Sequence, residues 1–287
     1  MRRFDLLEPV TLQEACATLA TTEDSRVIAG GTALLTLIKH GVLVPKTLVN
    51  LKKIADADEI AYSSDNGLRV GALATIFDVE SAPLVRRHYP VLAEACHVVA
   101  NIRIRNMATI GGNLAHGDYQ SDPPIALMAL DAVVEVISGT NTRRVKLSEF
   151  LLGSYETALE PGELIAAVLL PPAPDLRGSY VKFTTGSSEE RPCAGVAALA
   201  RLEGGICQEL RLAVGAVSPR PLRIHKAEEL AQGSPLTAPL IAQAARLASQ
   251  AVDPIEDLRG PADYKRHLVE VLVRRALTAL AQNQGEN

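Results

Sequence analysis

Two glycine-bearing turns about eighty residues apart constrain this chain more than any other feature. The first runs Ala29-Gly30-Gly31-Thr32-Ala33-Leu34-Leu35 and the second Ala108-Thr109-Ile110-Gly111-Gly112-Asn113-Leu114. Each lies between a strand-like apolar run and a polar or helical segment. A Gly pair admits positive φ and close approach to the backbone, so successive N–H groups can converge on an anion such as a dinucleotide diphosphate. A Gly pair after a strand is most often only a tight turn, so each signal is weak alone and stronger as one of two. The flanks Asn101-Ile102-Arg103-Ile104-Arg105-Asn106 and Ser121-Asp122-Pro123-Pro124 add polar groups of several kinds to the same neighbourhood.

The first turn is the clearer one. Arg26-Val27-Ile28-Ala29 reads as a short buried strand, and the apolar run 32–39 reads as a helix that begins at the glycines. Orphan N–H donors and the positive end of the helix dipole would both favour a phosphate there, with the Thr32 hydroxyl as a further donor. Neither a G-x-G-x-x-G fingerprint nor a G-x-x-x-x-G-K-[ST] loop occurs, so a bound nucleotide would belong to a fold other than those two.

The rest of the chain reads as three units. Thr11-Leu12-Gln13-Glu14 is a capping-box pattern opening a helix, and Leu48-Val49-Asn50-Leu51 is a strand parallel to Val27-Ile28 because a helix separates them. From Ile60 strands dominate: a hairpin over 60–71 around Asp65-Asn66-Gly67, strands over 132–137 and 143–147, and another over 164–169. Helices are expected over 90–99 and after Asp122-Pro123, where Asp122 is placed to be an N-cap. A proline cluster at 171–174 marks a linker, after which strands over 179–184, 194–202 and 210–217 precede helices over 236–251 and 261–281. Strands first and helices after within each unit indicate an α+β architecture.

Composition excludes several classes of function. A net charge of −4 gives no basic footprint for nucleic acid. No apolar run approaches the roughly 18 residues of a membrane span, and Met1-Arg2-Arg3-Phe4-Asp5 turns polar at once, so a soluble cytoplasmic protein is expected. Cys16, Cys96, Cys193 and Cys207 are too dispersed for a C-x-x-C element and read as core thiols. The six histidines show no ligand-like spacing, and His116 alone adjoins a motif.

Taken in order, the motifs resemble the FAD-binding medium subunit of molybdenum hydroxylases, the family of carbon monoxide dehydrogenase and of the flavin domain of xanthine dehydrogenase. The resemblance covers nearly the whole chain. Its marks are A-G-G-T-A-L-L at 29–35, I-R-N-M-A-T-I-G-G-N-L-A-H at 104–116, the S-D-P-P element at 121–124 and A-V-G-A-V-S-P-R-P-L-R at 213–223. Asp253-Pro254, Asp257-Leu258-Arg259-Gly260 and Tyr264-Lys265-Arg266 complete the pattern.

That resemblance implies a fold, a cofactor and partners. The fold would be a two-subdomain FAD-binding domain of the vanillyl-alcohol oxidase (PCMH) type over 1–175, with subdomains of about 1–54 and 55–175, followed by a smaller α+β C-terminal domain over 176–287. Ala29, Gly30, Gly31, Thr32, Ala33 and Leu34 would grip the FAD pyrophosphate from one side, and Thr109, Gly111, Gly112 and Asn113 from the other. Asp122 would bind the ribityl region, while Val99, Ala100, Leu164 and Lys182 would be further flavin contacts. A lysine on a strand is ordinarily a solvated charge, but a cation beside the flavin would raise its potential. Arg191 is a second basic candidate.

The implied partners are a small subunit with two [2Fe–2S] clusters and a molybdopterin large subunit, in a heterotrimer or a dimer of heterotrimers. The chain would then relay electrons and need no catalytic residue of its own. A self-sufficient flavin oxidase and a flavin-free assembly module of the same fold are the rival readings. On this view Gly31→Val or Gly111→Val empties the site of flavin more than it harms folding.

Overall fold

The computed structural model describes residues 3–282. Met1 and Arg2, the start of the polar N-terminal segment, lie outside the described residues.

The N-terminal unit is a three-stranded parallel sheet in the order Asp5–Leu7, Thr47–Asn50, Ser25–Ile28. Val27 pairs with Val49, as the helical crossover requires. Helix Leu12–Thr21 opens with the predicted N-cap, Thr11 Oγ1 accepting from the Glu14 amide at 3.1 Å, but the box does not close, since Glu14 Oε2 accepts from the Val10 amide at 2.8 Å rather than from Thr11. Strand Asp5–Leu7 carries no apolar signature, since all three side chains are exposed. The crossover helix spans only Leu34–Lys39 and starts two residues later than expected, because Thr32 and Ala33 belong to the turn. The parallel strand stops at Asn50, whose side chain caps a single helical turn Leu51–Lys53.

The second unit is a five-stranded antiparallel sheet in the order Ile60–Ser63, Gly67–Gly71, Leu164–Leu170, Val133–Ser138, Asn141–Lys146. Strand Leu164–Leu170 is therefore central, joining two hairpins on its flanks. Its almost unbroken burial explains why it reads as a continuous apolar run. Helix Pro90–His97 ends two residues short of expectation, and the chain then turns through Ala100 at φ 42°. One face of this unit packs on Ala15, Cys16, Val49 and Leu51 of the N-terminal unit, so the cleft between the two is a seam of the core.

The C-terminal unit pairs Arg177–Phe183, Ala194–Glu203 and Ile206–Gly215 antiparallel. The last strand begins earlier than predicted and ends at Gly215 because Ala216 adopts φ 66°. Helices Ala238–Ala251 and Ala262–Gln282 cover its outer face. The inner face packs on helix Pro123–Ala129, every residue of which is buried. Mixed helices and strands of this kind give the α+β class expected. All four cysteines are buried thiols, and among the described residues no helix is long and apolar enough to cross a membrane.

Candidate functional site

A cleft of about 390 Å³ separates the first two units. Residues 26–34 form one wall with Leu37, Leu43 and Leu51; residues 108–109, 111–113 and 115–116 form the other with Ala72, Leu73 and Ile165. Both glycine turns face it.

The turns contribute in different ways. Gly31 sits at φ 72°, the left-handed region that favours glycine. Its carbonyl accepts from the Leu35 amide at 2.9 Å, and the Ala33 carbonyl accepts from Leu37 at 3.2 Å. Among the described residues no acceptor meets the amides of Gly30, Gly31, Thr32 or Ala33. Four consecutive donors are thus left for a ligand or solvent. Gly30 is glycine for another reason, since a Cβ there would overlap the Met107 carbonyl.

The second turn has its amides occupied, contrary to the expectation of a two-sided backbone grip. Thr109 caps helix Ile110–His116 by accepting from Gly112 N at 3.1 Å, Asn113 N donates to Thr109 O, Gly111 N to Ala72 O and Ile110 N to Ala74 O. Gly111 and Gly112 are helical, and neither has positive φ. A Cβ on Gly111 would lie 2.6 Å from Ala72 Cβ and 2.7 Å from its carbonyl, so strand-to-helix packing demands this glycine. What the second wall offers is the bare surface of Gly112 and the Asn113 amide. The Ser121 hydroxyl braces that amide, accepting from Nδ2 at 2.8 Å and donating to Oδ1 at 3.0 Å.

Leu164 lines the cleft with Leu159 and Glu163. Arg143 grips Glu163 in a bidentate pair, Nε to Oε1 at 2.7 Å and Nη2 to Oε2 at 2.6 Å, and holds its carboxyl below the usual range. Glu163, Leu43 and Leu73 were not predicted. The sheet order brings Glu163 and Leu73 to the cleft, and Leu43 is folded back over the crossover helix by the hydrogen bond from its amide to Leu37 O.

The remaining predicted residues form a second group outside that cleft. Asp122 does not cap its helix; its backbone is helical and its carboxylate turns toward the C-terminal sheet. Oδ1 accepts from the Tyr180 hydroxyl at 2.8 Å and Oδ2 lies 3.0 Å from Lys182 Nζ. Lys182 is no solvated charge, since its side chain is 7% exposed and also donates to Val98 O at 2.8 Å. Burial pushes the Asp122 carboxyl up to about 6, against the pull of Lys182. Arg105 Nη1 donates to Val99 O at 3.1 Å, so Lys182 and Arg105 together hold segment 98–100, which carries Val99 and the left-handed Ala100. Arg191 pairs with Asp118 at 2.7 Å.

Free donors on one wall and apolar side chains around them give this cleft the chemistry to take an anionic, partly apolar ligand, on a fold distinct from the Rossmann fold. Residues 2–173 match the family model described as the FAD binding domain in molybdopterin dehydrogenase, and residues 181–280 match the CO dehydrogenase flavoprotein C-terminal domain. The chain is 31% identical to the nicotine 6-hydroxylase medium subunit of Paenarthrobacter nicotinovorans over 94% of each chain. It is 30% identical to a putative xanthine dehydrogenase FAD-binding subunit of Escherichia coli strain K12, over 96% of this chain and 95% of that one. A chain of reconstituted CO dehydrogenase from Oligotropha carboxidovorans superposes with a TM-score of 0.93 at 30% identity, covering 98% of each. The protein belongs to this family of FAD-binding medium subunits of molybdenum-containing dehydrogenases.

Proposed function

We propose that this chain holds FAD in the cleft and passes electrons from a [2Fe–2S] small subunit to an external acceptor. The observation that carries the reading is the run of four amides, Gly30 to Ala33, with no acceptor among the described residues, beside the bare glycine surface at Gly112. The first turn donates to the diphosphate, and the apolar side chains of Leu37, Leu43 and Leu164 exclude water around the rest of the nucleotide. Val99, Ala100 and Lys182 make up the flavin-ring end and Asp122 the ribityl end, with the buried lysine held in an ion pair to Asp122. When bound, FAD supplies exchange of one or two electrons at a time, and the protein's part is to bind, orient and tune it.

Substrate hydroxylation then belongs to a molybdopterin large subunit, in a cytoplasmic heterotrimer or a dimer of heterotrimers. Two measurements test the reading. Fluorescence titration should show one FAD site per chain and much weaker FMN binding; equal affinities would remove the diphosphate argument. Stopped-flow mixing with reduced [2Fe–2S] subunit should show flavin reduction, whereas substrate turnover by this chain alone would favour a self-sufficient oxidase.

A further inference from the structure

Helix Pro123–Ala129 joins the two halves of the molecule, and its best-fitted side chain is Ile125, which is fully buried. Ile125 rests on a notch formed by two glycines. Gly195 and Gly215 are direct register partners on neighbouring strands, so both would point a side chain at the helix. A Cβ on Gly215 would lie 2.5 Å from Ile125 Cγ1 and 2.6 Å from Cδ1, and one on Gly195 would lie 2.7 Å from Cδ1. A larger residue at either position fits only if Ile125 or the helix that carries it shifts.

The same row continues to Lys182, which pairs in register with Gly195. Lys182, Gly195 and Gly215 therefore share one face of the sheet. The space over Gly195 is filled by the Tyr180 hydroxyl and Ile125 Cδ1, and the lysine reaches Asp122, which precedes Ile125 by one helical turn. Tyr180, two residues along the same strand and so on the same face, completes the contact through its hydroxyl. Its amide donates to Glu94 at 2.8 Å. At the far end of the helix Asp131 pairs with Arg211 and Arg223 of the C-terminal unit. The helix is thus pinned at both ends by charge, and its separation from the sheet is set in the middle by Ile125.

We infer that Ile125, seated across Gly195 and Gly215, is a positioning residue for the flavin site, fixing the height at which the C-terminal sheet presents Lys182 to Asp122 and segment 98–100. The inference depends on the FAD reading above. Adding a methyl group in the notch lifts the sheet and draws the lysine away from that segment, whereas trimming Ile125 makes room for the methyl group again.

The test is a cycle in the full chain: Gly215→Ala, Ile125→Ala and the double variant, each compared for flavin midpoint potential, visible spectrum and FAD affinity. Gly215→Ala should shift the potential negative and weaken FAD binding about tenfold, the scale expected for overpacking a core. Ile125→Ala should restore both in the double variant, a rescue that general destabilisation would not give. A folded Gly215→Ala protein with unaltered potential and spectrum overturns the inference, as does failure of the double variant to recover. If Gly215→Ala does not fold, Ile125→Val takes its place; a small shift in potential supports the inference and an unaltered one overturns it. A wild-type chain that binds no FAD overturns the flavin reading itself, which separates the two failures.

Discussion

Gly30 and Met107 touch so closely that the space for a Gly30 side chain is filled by the Met107 carbonyl. The two glycine turns are in van der Waals contact across the head of the cleft, and the spacing of its walls is set there.

Gly30→Ala should therefore separate the walls. We expect a loss of about 1–3 kcal/mol in stability, as for an overpacked core, together with loss of bound flavin. Urea unfolding beside flavin content checks it, and an unchanged midpoint would contradict the contact.

Gly31 and Gly111 part company here, although the sequence suggests the same outcome for both. Gly111→Val drives a branched side chain into Ala72 and should fail chiefly in folding. At Gly31 a Cβ finds only Ile28 and Leu35 methyl carbons at 3.2 Å, so Gly31→Ala pays mainly for its positive φ, about 1–2 kcal/mol. Gly31→Ala should keep the fold and lose flavin by displacing the donor amides. Thermal unfolding and flavin absorbance on each variant decide the split.

Lys182→Met leaves the Asp122 carboxylate buried with Tyr180 as its one remaining side-chain donor. Breaking a buried pair from one side costs about 3–5 kcal/mol. Adding Asp122→Asn should recover much of that loss. A double variant no more stable than Lys182→Met would show that the pair is not the source of the effect.

Acidity gives a separate readout. The Asp122 carboxyl titrates at about 6 in the folded chain against an ordinary 3.8, so between those values the native state holds a proton that the unfolded chain has released. Its contribution is fully present below 3.8 and is lost as pH rises through about 6. The stability of the wild type relative to Asp122→Asn should fall over that window by on the order of 3 kcal/mol. A difference that is flat from pH 4 to 6 would refute the raised pKa.

Arg143→Ala should release the Glu163 carboxylate toward the cleft. An unpaired anion beside a diphosphate repels it, and FAD binding should weaken roughly three- to tenfold at low salt, less at high salt. Equal affinity at both salt concentrations would place Glu163 away from the nucleotide.

The first turn was legible because its signals are local: a short strand, which proves half-buried rather than buried, a glycine at positive φ and a following helix lie within fifteen residues. The second was legible as a place but not as a role. Gly111 is glycine because of Ala72, about forty residues away, and no local pattern reveals that contact. Asp122 looked like a helix cap for the same reason, since its true partners, Tyr180 and Lys182, lie about sixty residues further on. Leu73 reaches the cleft only through the sheet order, which periodicity does not encode, whereas Leu43 folds back onto the crossover helix, its amide donating to Leu37 O at 3.3 Å.

That sheet order also governs when the molecule can be built. Gly67–Gly71 and Val133–Ser138 are not neighbours; each meets the other only through Leu164–Leu170. A ribosome making this chain therefore extrudes both hairpins before the strand that unites them, and they wait with their inner edges unpaired. Leu164 and Ile165 are themselves part of the cleft wall. The cleft wall is thus incomplete in the nascent chain until residue 170 has left the exit tunnel, and any ligand of the cleft must wait for the first two units to close.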